Sequence, residues 1–169
     1  MTVYLRPYNA VTDTASLAEL ITRAAPQPLL PSWADLAQEP APAGRIQFRV
    51  TAAEPGERIV GFGETGRDPW MPTGVFWLDL FVAPEARGQG TGAMLFDDLM
   101  QFAWELGATQ LLAHLDERIP EGMRFIQRRG FAPHPFGALL DLSALRARDY
   151  DEEAFCGLPD VPELAGLCA

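Results

Sequence analysis

The stretch FVAPEARGQGTGAMLF, residues 81–96, carries the clearest chemical signal in the chain. Three glycines, at positions 88, 90 and 92, follow an apolar run and precede a helical pattern. Glycine permits left-handed dihedrals and lets the backbone approach a ligand that a Cβ atom would block. The first N–H groups of a helix have no partner within the helix, and with the helix dipole they attract anions. The stretch therefore predicts an anion-binding loop at the start of a helix.

The charged residues exclude several functions. All 13 cationic side chains are arginines, and the chain has no lysine. A Walker phosphate loop and Schiff-base catalysis both require a lysine, so both are excluded. The net charge of −10 argues against a nucleic-acid partner, because such binding depends on neutralising phosphates.

Two stretches match the dinucleotide-binding pattern G-x-G-x-x-G/A. GFGETG, residues 61–66, is followed by RDPWMP, which cannot open a helix. The favoured interpretation is the end of a strand whose backbone the glycines make less regular. GQGTGA, residues 88–93, does open a helix. However, APEA separates it from its strand, and the chain predicts hairpins rather than repeated βαβ units. An NAD-dependent enzyme is therefore the least favoured hypothesis.

Periodicity and capping signals predict an α/β (α+β) domain over residues 1–143, with a mixed, largely antiparallel central sheet flanked by helices. Residues 144–169 are predicted to form an acidic C-terminal arm or linker, and the proline-rich stretch 26–44 a long loop with one helical turn at SWADLA. The predicted elements are strands at 2–8, 45–54, 57–66, 74–82, 108–117 and 134–145 and helices at 12–25, 93–107 and 120–131.

The sequence predicts a cytoplasmic protein without a membrane partner. No run approaches the ~18 apolar residues of a membrane helix, and the N-terminus lacks the pattern of a signal peptide. The only two cysteines, Cys156 and Cys168, are too few for a disulfide framework and lack the spacing of a metal site. We therefore expect no metal ion. Apolar residues in the acidic arm predict a homodimer.

The order of elements around V-x-P-x-x-R-G-x-G-x-G resembles the GNAT superfamily of acyl-CoA-dependent N-acetyltransferases. The resemblance covers about residues 3–142. It implies that the anion is the pyrophosphate of coenzyme A and that acetyl-CoA is a cosubstrate. Residues of the pattern and its helix start would hold the pyrophosphate: Arg87, Gly88, Gln89, Gly90, Thr91, Gly92 and Ala93.

The resemblance also implies that the strand before this loop splays from the next one, so that the pantetheine arm fills the gap like an added strand. Main-chain contacts to the arm would come from Leu80, Phe81 and Val82. Two positions depart from the family. Ile126 stands where many members carry the tyrosine that protonates the departing thiolate, and Ile119 where an asparagine often holds pantetheine. Neither role can be transferred to this chain.

Three side chains are candidates for the base that deprotonates the acceptor. His114 falls where several members carry an acidic residue, and an unperturbed imidazole titrates near 6.5. Asp79 lies within the apolar stretch FWLDLFV and needs a partner or a function, with arginine pairing as the structural alternative. Glu64 is the third candidate, with a solvated surface carboxylate as the structural alternative. His114 has its own structural alternative, a hydrogen-bonded histidine of the core or sheet edge.

The favoured hypothesis is a direct transfer of the acetyl group from acetyl-CoA to a primary amine of a small molecule or peptide. The substitutions at positions 119 and 126 motivate an alternative, a catalytically weakened acyl-CoA-binding or regulatory module.

Overall fold

The computed structural model describes residues 2–24, 43–114, 119–135 and 137–142. Within these residues the chain forms seven strands, three α-helices and one 3₁₀ turn. In chain order they are β1 (Tyr4–Pro7), α1 (Ala10–Ala24), β2 (Ile46–Ala53), β3 (Ile59–Arg67), β4 (Val75–Val82), the 3₁₀ turn (Pro84–Ala86), α2 (Thr91–Glu105), β5 (Gln110–Ala113), α3 (Pro120–Gln127), β6 (Ala132–His134) and β7 (Gly137–Asp141).

The strands form a single sheet in the order β1-β2-β3-β4-β5-β7-β6. Every neighbouring pair is antiparallel except β4 and β5, which run parallel. The predicted mixed, largely antiparallel sheet with flanking helices is therefore confirmed. None of the helices in the described part of the chain has the length and apolar character needed to cross a membrane.

Two predicted elements needed correction. The strand predicted over 134–145 is present as β7, Gly137–Asp141, but its predicted start is wrong, because β6 and β7 form a short antiparallel hairpin. Pro135 has no N–H group to donate to a ladder, and Gly137 has φ 135°, which suits a turn. Helix α1 begins before the predicted Thr12, because the Asn9 side chain accepts a hydrogen bond from the N–H of Val11 (2.9 Å) and caps the helix there. Residues 26–42 and the predicted arm lie outside the described residues.

Helix α2 packs closely on one face of the sheet because β3 carries glycines beneath it. An ideal Cβ atom at Gly63 would lie 2.6 Å from Cδ1 of Leu99 and 2.9 Å from Cδ2 of Leu80. One at Gly61 would lie 2.9 Å from Cδ1 of Leu95. These two glycines belong to the stretch GFGETG, which lies in the middle of β3 rather than at a strand end. Their role is to let α2, and the loop that precedes it, approach the sheet.

The close packing predicts that a methyl group at position 63 destabilises the fold. Gly63→Ala should lower the free energy of unfolding by about 1–3 kcal/mol, the range for overpacked cores. Gly122→Ala, within α3, is the matched control because its nearest neighbouring atom would lie at an ordinary 3.7 Å. Alanine favours a helix interior over glycine by about 0.5–1 kcal/mol, so this control should be more stable than the wild type. Urea unfolding curves measure both, and a Gly63→Ala variant of wild-type stability would contradict the account.

Candidate active site

The site is built around the place where β4 and β5 part. Their pairing runs only from Val75↔Gln110 to Leu78↔Ala113. Strand β4 continues to Val82, still paired with β3 on its other side. Beyond Leu78, therefore, the edge of β4 that faces away from β3 has no strand beside it in the described part of the chain. This open edge is the gap that the resemblance predicts.

The alternation of peptide groups along β4 decides which residues face the open edge. Gly74, just before β4, accepts a hydrogen bond from the N–H of Gln110 on the β5 side (3.0 Å). Ala83, just after β4, donates to the carbonyl of Val60 on the β3 side (2.9 Å). The peptide groups of Leu80 and Val82 consequently point to the open edge.

The peptide groups of Phe81, which pairs with Phe62 of β3, point the other way. The carbonyl of Val82 already accepts a hydrogen bond from Nε of Arg87 (3.2 Å). Of the three residues predicted to contact the pantetheine arm through the main chain, Leu80 thus offers both of its peptide groups, Val82 offers its N–H, and Phe81 offers neither on this side.

The glycine-rich loop has the backbone conformation that an anion site requires. Gly88 and Gly90 have φ values of 70° and 89°, and an ideal Cβ atom at either position would meet nothing within 4 Å. Gly90 is the N-cap of α2, and its carbonyl accepts hydrogen bonds from Ala93 and Met94. The N–H of Ala93 is therefore already paired. No described residue accepts a hydrogen bond from the N–H groups of residues 88–92, so these groups are available to an anion.

Two side chains, Arg87 and Gln89, hold this loop in place. Arg87 donates from Nη2 to the carbonyl of Ala24 at the end of α1 (2.9 Å), in addition to its bond with Val82. Gln89 donates from Nε2 to the carbonyl of Glu85 (2.7 Å). Thr91 is buried, and its hydroxyl is the only fully buried side-chain polar atom without a partner within the described ranges. An anion at the loop would therefore contact, within Arg87, only the guanidinium N–H groups that make neither of these two bonds.

A row of polar side chains crosses four strands on the sheet face opposite α2. The register places Arg49 of β2 opposite Glu64 of β3, and Glu64 opposite Asp79 of β4. His114 follows β5 directly and lies beside Asp79. Glu64 and Asp79 are 2% and 7% exposed, whereas the His114 side chain is 57% exposed. The row therefore leads from a buried carboxylate to an accessible imidazole next to the open edge.

Asp79 and His114, both predicted as catalytic residues, form a hydrogen-bonded pair. Nδ1 of His114 lies 3.2 Å from Oδ1 of Asp79. This hydrogen bond raises the pKa of His114 above its ordinary value, burial opposes the rise, and the charge of Asp79 adds to it. A carboxylate accepts only, so Nδ1 carries the proton and Nε2 keeps its lone pair for a substrate. The arginine pairing considered as the structural alternative for Asp79 is not what the structure shows.

Glu64 is held by two donors that the sequence reasoning missed. Nε of Arg49 and Nε2 of Gln47 both lie 2.9 Å from Oε2 of Glu64. Burial raises the pKa of Glu64 above its ordinary value, the charge of Arg49 partly offsets this, and the charge of Asp79 adds to it. Counting outward from the predicted PGE turn pairs position 49 with position 63, and only a bulge between Ala52 and Ala53 shifts the register so that Arg49 lies opposite Glu64. The predicted hairpin therefore held no signal for this pair.

The two residues that depart from the family pattern lie in or next to α3. Ile126 is 6% exposed and belongs to the main hydrophobic core. Ile119 is the N-cap of α3 and makes no side-chain capping bond. Neither side chain can donate a proton. Groups of three or more side chains able to hold a metal ion do not occur among residues 2–24, 43–114, 119–135 and 137–142.

Comparison with known proteins identifies the family. The model of the acetyltransferase (GNAT) family matches residues 14–131. The chain therefore belongs to the GNAT family, whose members are acyltransferases that take an acetyl group from acetyl-CoA. This assignment removes the NAD-dependent alternative. No curated protein matches the chain significantly.

Solved structures show the same fold. A Trypanosoma brucei acetyltransferase is 26% identical, with a TM-score of 0.60 over 79% of this chain and 94% of that one. A GNAT-family acetyltransferase from Staphylococcus aureus is 15% identical, with a TM-score of 0.66 over 82% and 96%. A Sinorhizobium meliloti phosphinothricin acetyltransferase, solved with acetyl-CoA, is 20% identical, with a TM-score of 0.59 over 82% and 86%.

The loop geometry predicts separate effects of substitutions at the two ends of α2. Gly90 and Gly107 both have left-handed φ values, 89° and 81°, and both have open space where a Cβ atom would lie. Gly90→Val and Gly107→Val should therefore carry a similar backbone strain, roughly 1–2 kcal/mol or more. Only Gly90→Val should abolish acetyl-CoA binding, because its side chain would project from the anion-binding loop.

Calorimetric titration with CoA and thermal unfolding of the same samples separate the two effects. Wild-type CoA affinity in a folded Gly90→Val protein would show that the loop does not bind the pyrophosphate. Equal losses of affinity in both variants would show that strain, rather than the loop, is responsible.

Proposed function

We propose that this protein transfers the acetyl group of acetyl-CoA directly to a primary amine of a small molecule or peptide, with His114 as the general base and Asp79 as its partner. The observation that carries the proposal is the Asp79–His114 pair, 3.2 Å apart, at the end of β5 next to the open edge of β4. It combines an accessible base with the gap in which the family binds its thioester.

The free backbone donors support the part of the proposal that concerns acetyl-CoA. The N–H groups of residues 88–92 and the positive end of the α2 dipole would bind the pyrophosphate. The peptide groups of Leu80 would pair with the pantetheine arm as an added strand would. Both sets of donors belong to the same loop and strand, which Arg87 ties together. The thioester would then lie along the open edge, on the side where His114 is exposed.

The base has a defined task in this reaction. A protonated lysine-like amine must lose a proton at a cost of about 4–5 kcal/mol at pH 7, whereas an α-amine costs about 1 kcal/mol. Nε2 of His114 would accept that proton, directly or through a water molecule. The amine nitrogen then forms a bond to the thioester carbonyl carbon, the carbon–sulfur bond breaks, and the proton that the nitrogen loses as it becomes an amide passes to the departing thiolate, directly or through water, to give free CoA. The negative charge of Asp79 stabilises the imidazolium that results.

The leaving group needs no acid from Ile126. A thiol has a pKa of ~8.5, so the thiolate departs far more easily than an alkoxide would. The same substitution supports the second hypothesis, an acyl-CoA-binding module with weak turnover. Release of free CoA thiol in the presence of amines separates the two, since a binding module would hold acetyl-CoA without consuming it. The cytoplasmic location and the homodimer stay predictions.

The proposal predicts the effect of removing the base. His114→Ala should lower kcat/KM for the amine by roughly 10²–10⁴, the usual contribution of a positioned general base. Affinity for CoA should barely change, because His114 lies outside the anion-binding loop. The active form is the neutral imidazole, so wild-type activity should rise with pH through the pKa of His114. Asp79 raises that pKa, which places this limb above the ordinary value of 6.5.

Steady-state kinetics from pH 5.5 to 9, with thiol release as the signal, measure both effects. His134→Ala is the matched control, because it removes the only other histidine of the chain. It should retain the rising limb. Full activity and an unchanged limb in His114→Ala would make His114 a structural residue.

A further inference from the structure

Glu64 is the most enclosed carboxylate in the described part of the chain, at 2% exposure, and the proposed reaction assigns it no task. Its position is well defined. It lies in the row between Arg49 and Asp79, and two side chains hold its Oε2 atom. Burying a carboxylate is costly even when it is paired, and an apolar pair of similar volume would serve stability at least as well. A role beyond stability is therefore worth testing.

The arginine next to Glu64 does not remove the influence of its charge. The Arg49 side chain is 22% exposed, and its guanidinium carbon also lies 5.7 Å from the centre of the Tyr8 ring. The pKa of Glu64 is raised despite the ion pair, which shows that burial and Asp79 outweigh the attraction of Arg49. With Arg49, Glu64 and Asp79 all ionised, the row carries a net charge of −1 facing the imidazole.

We propose that Glu64 is a positioning residue whose carboxylate, fixed by Arg49 and Gln47, faces Asp79 and sets the proton affinity of the Asp79–His114 pair. The inference rests on the proposed function for its catalytic consequence, but the electrostatic coupling itself does not depend on it. Glu64 touches neither the substrate nor His114 and acts through Asp79.

The sign of the effect follows from the charges around His114. Asp79 contacts it from β4, Glu64 follows on β3 and Arg49 on β2. On the other side, His134 of β6 pairs with Gly137, which lies beside His114. The Arg6–Asp13 ion pair joins β1 to α1, at the far side of the row. A negative charge favours the imidazolium, so removing the charge of Glu64 should lower the pKa of His114.

The expected size follows from the spacing of the strands. Glu64 and His114 lie two strands apart, which corresponds to a separation of roughly 9–10 Å between their backbones. One unit charge at that distance, on a partly solvated surface, should shift the pKa of His114 by about half a pH unit. His114 is therefore a stronger base when Glu64 is ionised than when it is not. The positive charge of Arg49 limits this increase.

Glu64→Gln is the variant that removes the charge and keeps the shape. The pKa of His114 can be followed by NMR of the imidazole protons, because the chain has two histidines and His134→Asn assigns them. We expect a decrease of about half a pH unit. Glu64→Asp keeps the charge and should restore a value near that of the wild type, which separates charge from packing.

Asp98→Asn is the matched control. Asp98 is a half-buried carboxyl on α2, on the opposite face of the sheet, and burial raises its pKa as well. This variant should leave the titration of His114 unchanged. An unchanged pKa of His114 in Glu64→Gln, or an equal shift in Asp98→Asn, would overturn the inference.

The pH profile of kcat/KM separates this inference from the proposed function. If both hold, the rising limb of Glu64→Gln moves down in pH together with the NMR titration. If the pKa of His114 measured by NMR falls but the rising limb of the pH profile stays in place, Glu64 still affects the pKa of His114. His114 is then not the base. An unchanged titration refutes the role of Glu64 whether or not His114 is catalytic.

Discussion

The parallel pairing of β4 with β5 stops after four residue pairs, while β4 continues for another four residues. A parallel neighbour requires a crossover, and here the crossover is the 3₁₀ turn, the glycine-rich loop and α2. The strand that leaves peptide groups unpaired at the open edge is therefore the one that leads into the glycine-rich loop. The gap and the loop come from one chain segment, which explains how a single extended cosubstrate can meet both.

Close packing of α2 fixes the loop relative to the gap. Gly61 and Gly63 leave room for Leu95 and Leu99, so the helix lies directly on β3 and β4. The opposite sheet face then carries the polar row. Because side chains alternate along a strand, the same stretch of β3 supplies glycines to one face and Glu64 to the other. The helix can approach closely on one side while a buried carboxylate is held on the other.

The sequence predicted the elements well where local signals decide them. The helix predicted after the glycine pattern, over 93–107, is present as Thr91–Glu105. The apolar run 74–82 predicts a strand buried on both faces, as Phe76, Trp77 and Leu78 are. The sequence points to His114 and Asp79 separately but not to their contact, because the two residues lie 35 positions apart in the chain. Periodicity carries no information on such long-range pairing.

Local sequence signals failed where three-dimensional backbone geometry determines the structure. The hairpin of β6 and β7 depends on Gly137, whose ideal Cβ atom would lie 2.2 Å from the carbonyl oxygen of Ala113, a contact visible only in three dimensions. The direction of the Leu80 and Phe81 peptide groups depends on which neighbour β4 pairs with, and residue types do not reveal this. Residue types also do not reveal that Arg87 donates hydrogen bonds to the backbone carbonyls of Val82 and Ala24.

The central claim is that the open edge of β4 and the glycine-rich loop together place the thioester of acetyl-CoA beside His114. A crystal structure of the protein with CoA tests it most directly. We expect pyrophosphate oxygens within hydrogen-bond distance of the N–H groups of residues 88–92. We also expect a pantetheine amide paired with Leu80, and a sulfur atom on the side of β4 where His114 is exposed. CoA bound elsewhere, or with its sulfur directed away from His114, would contradict it.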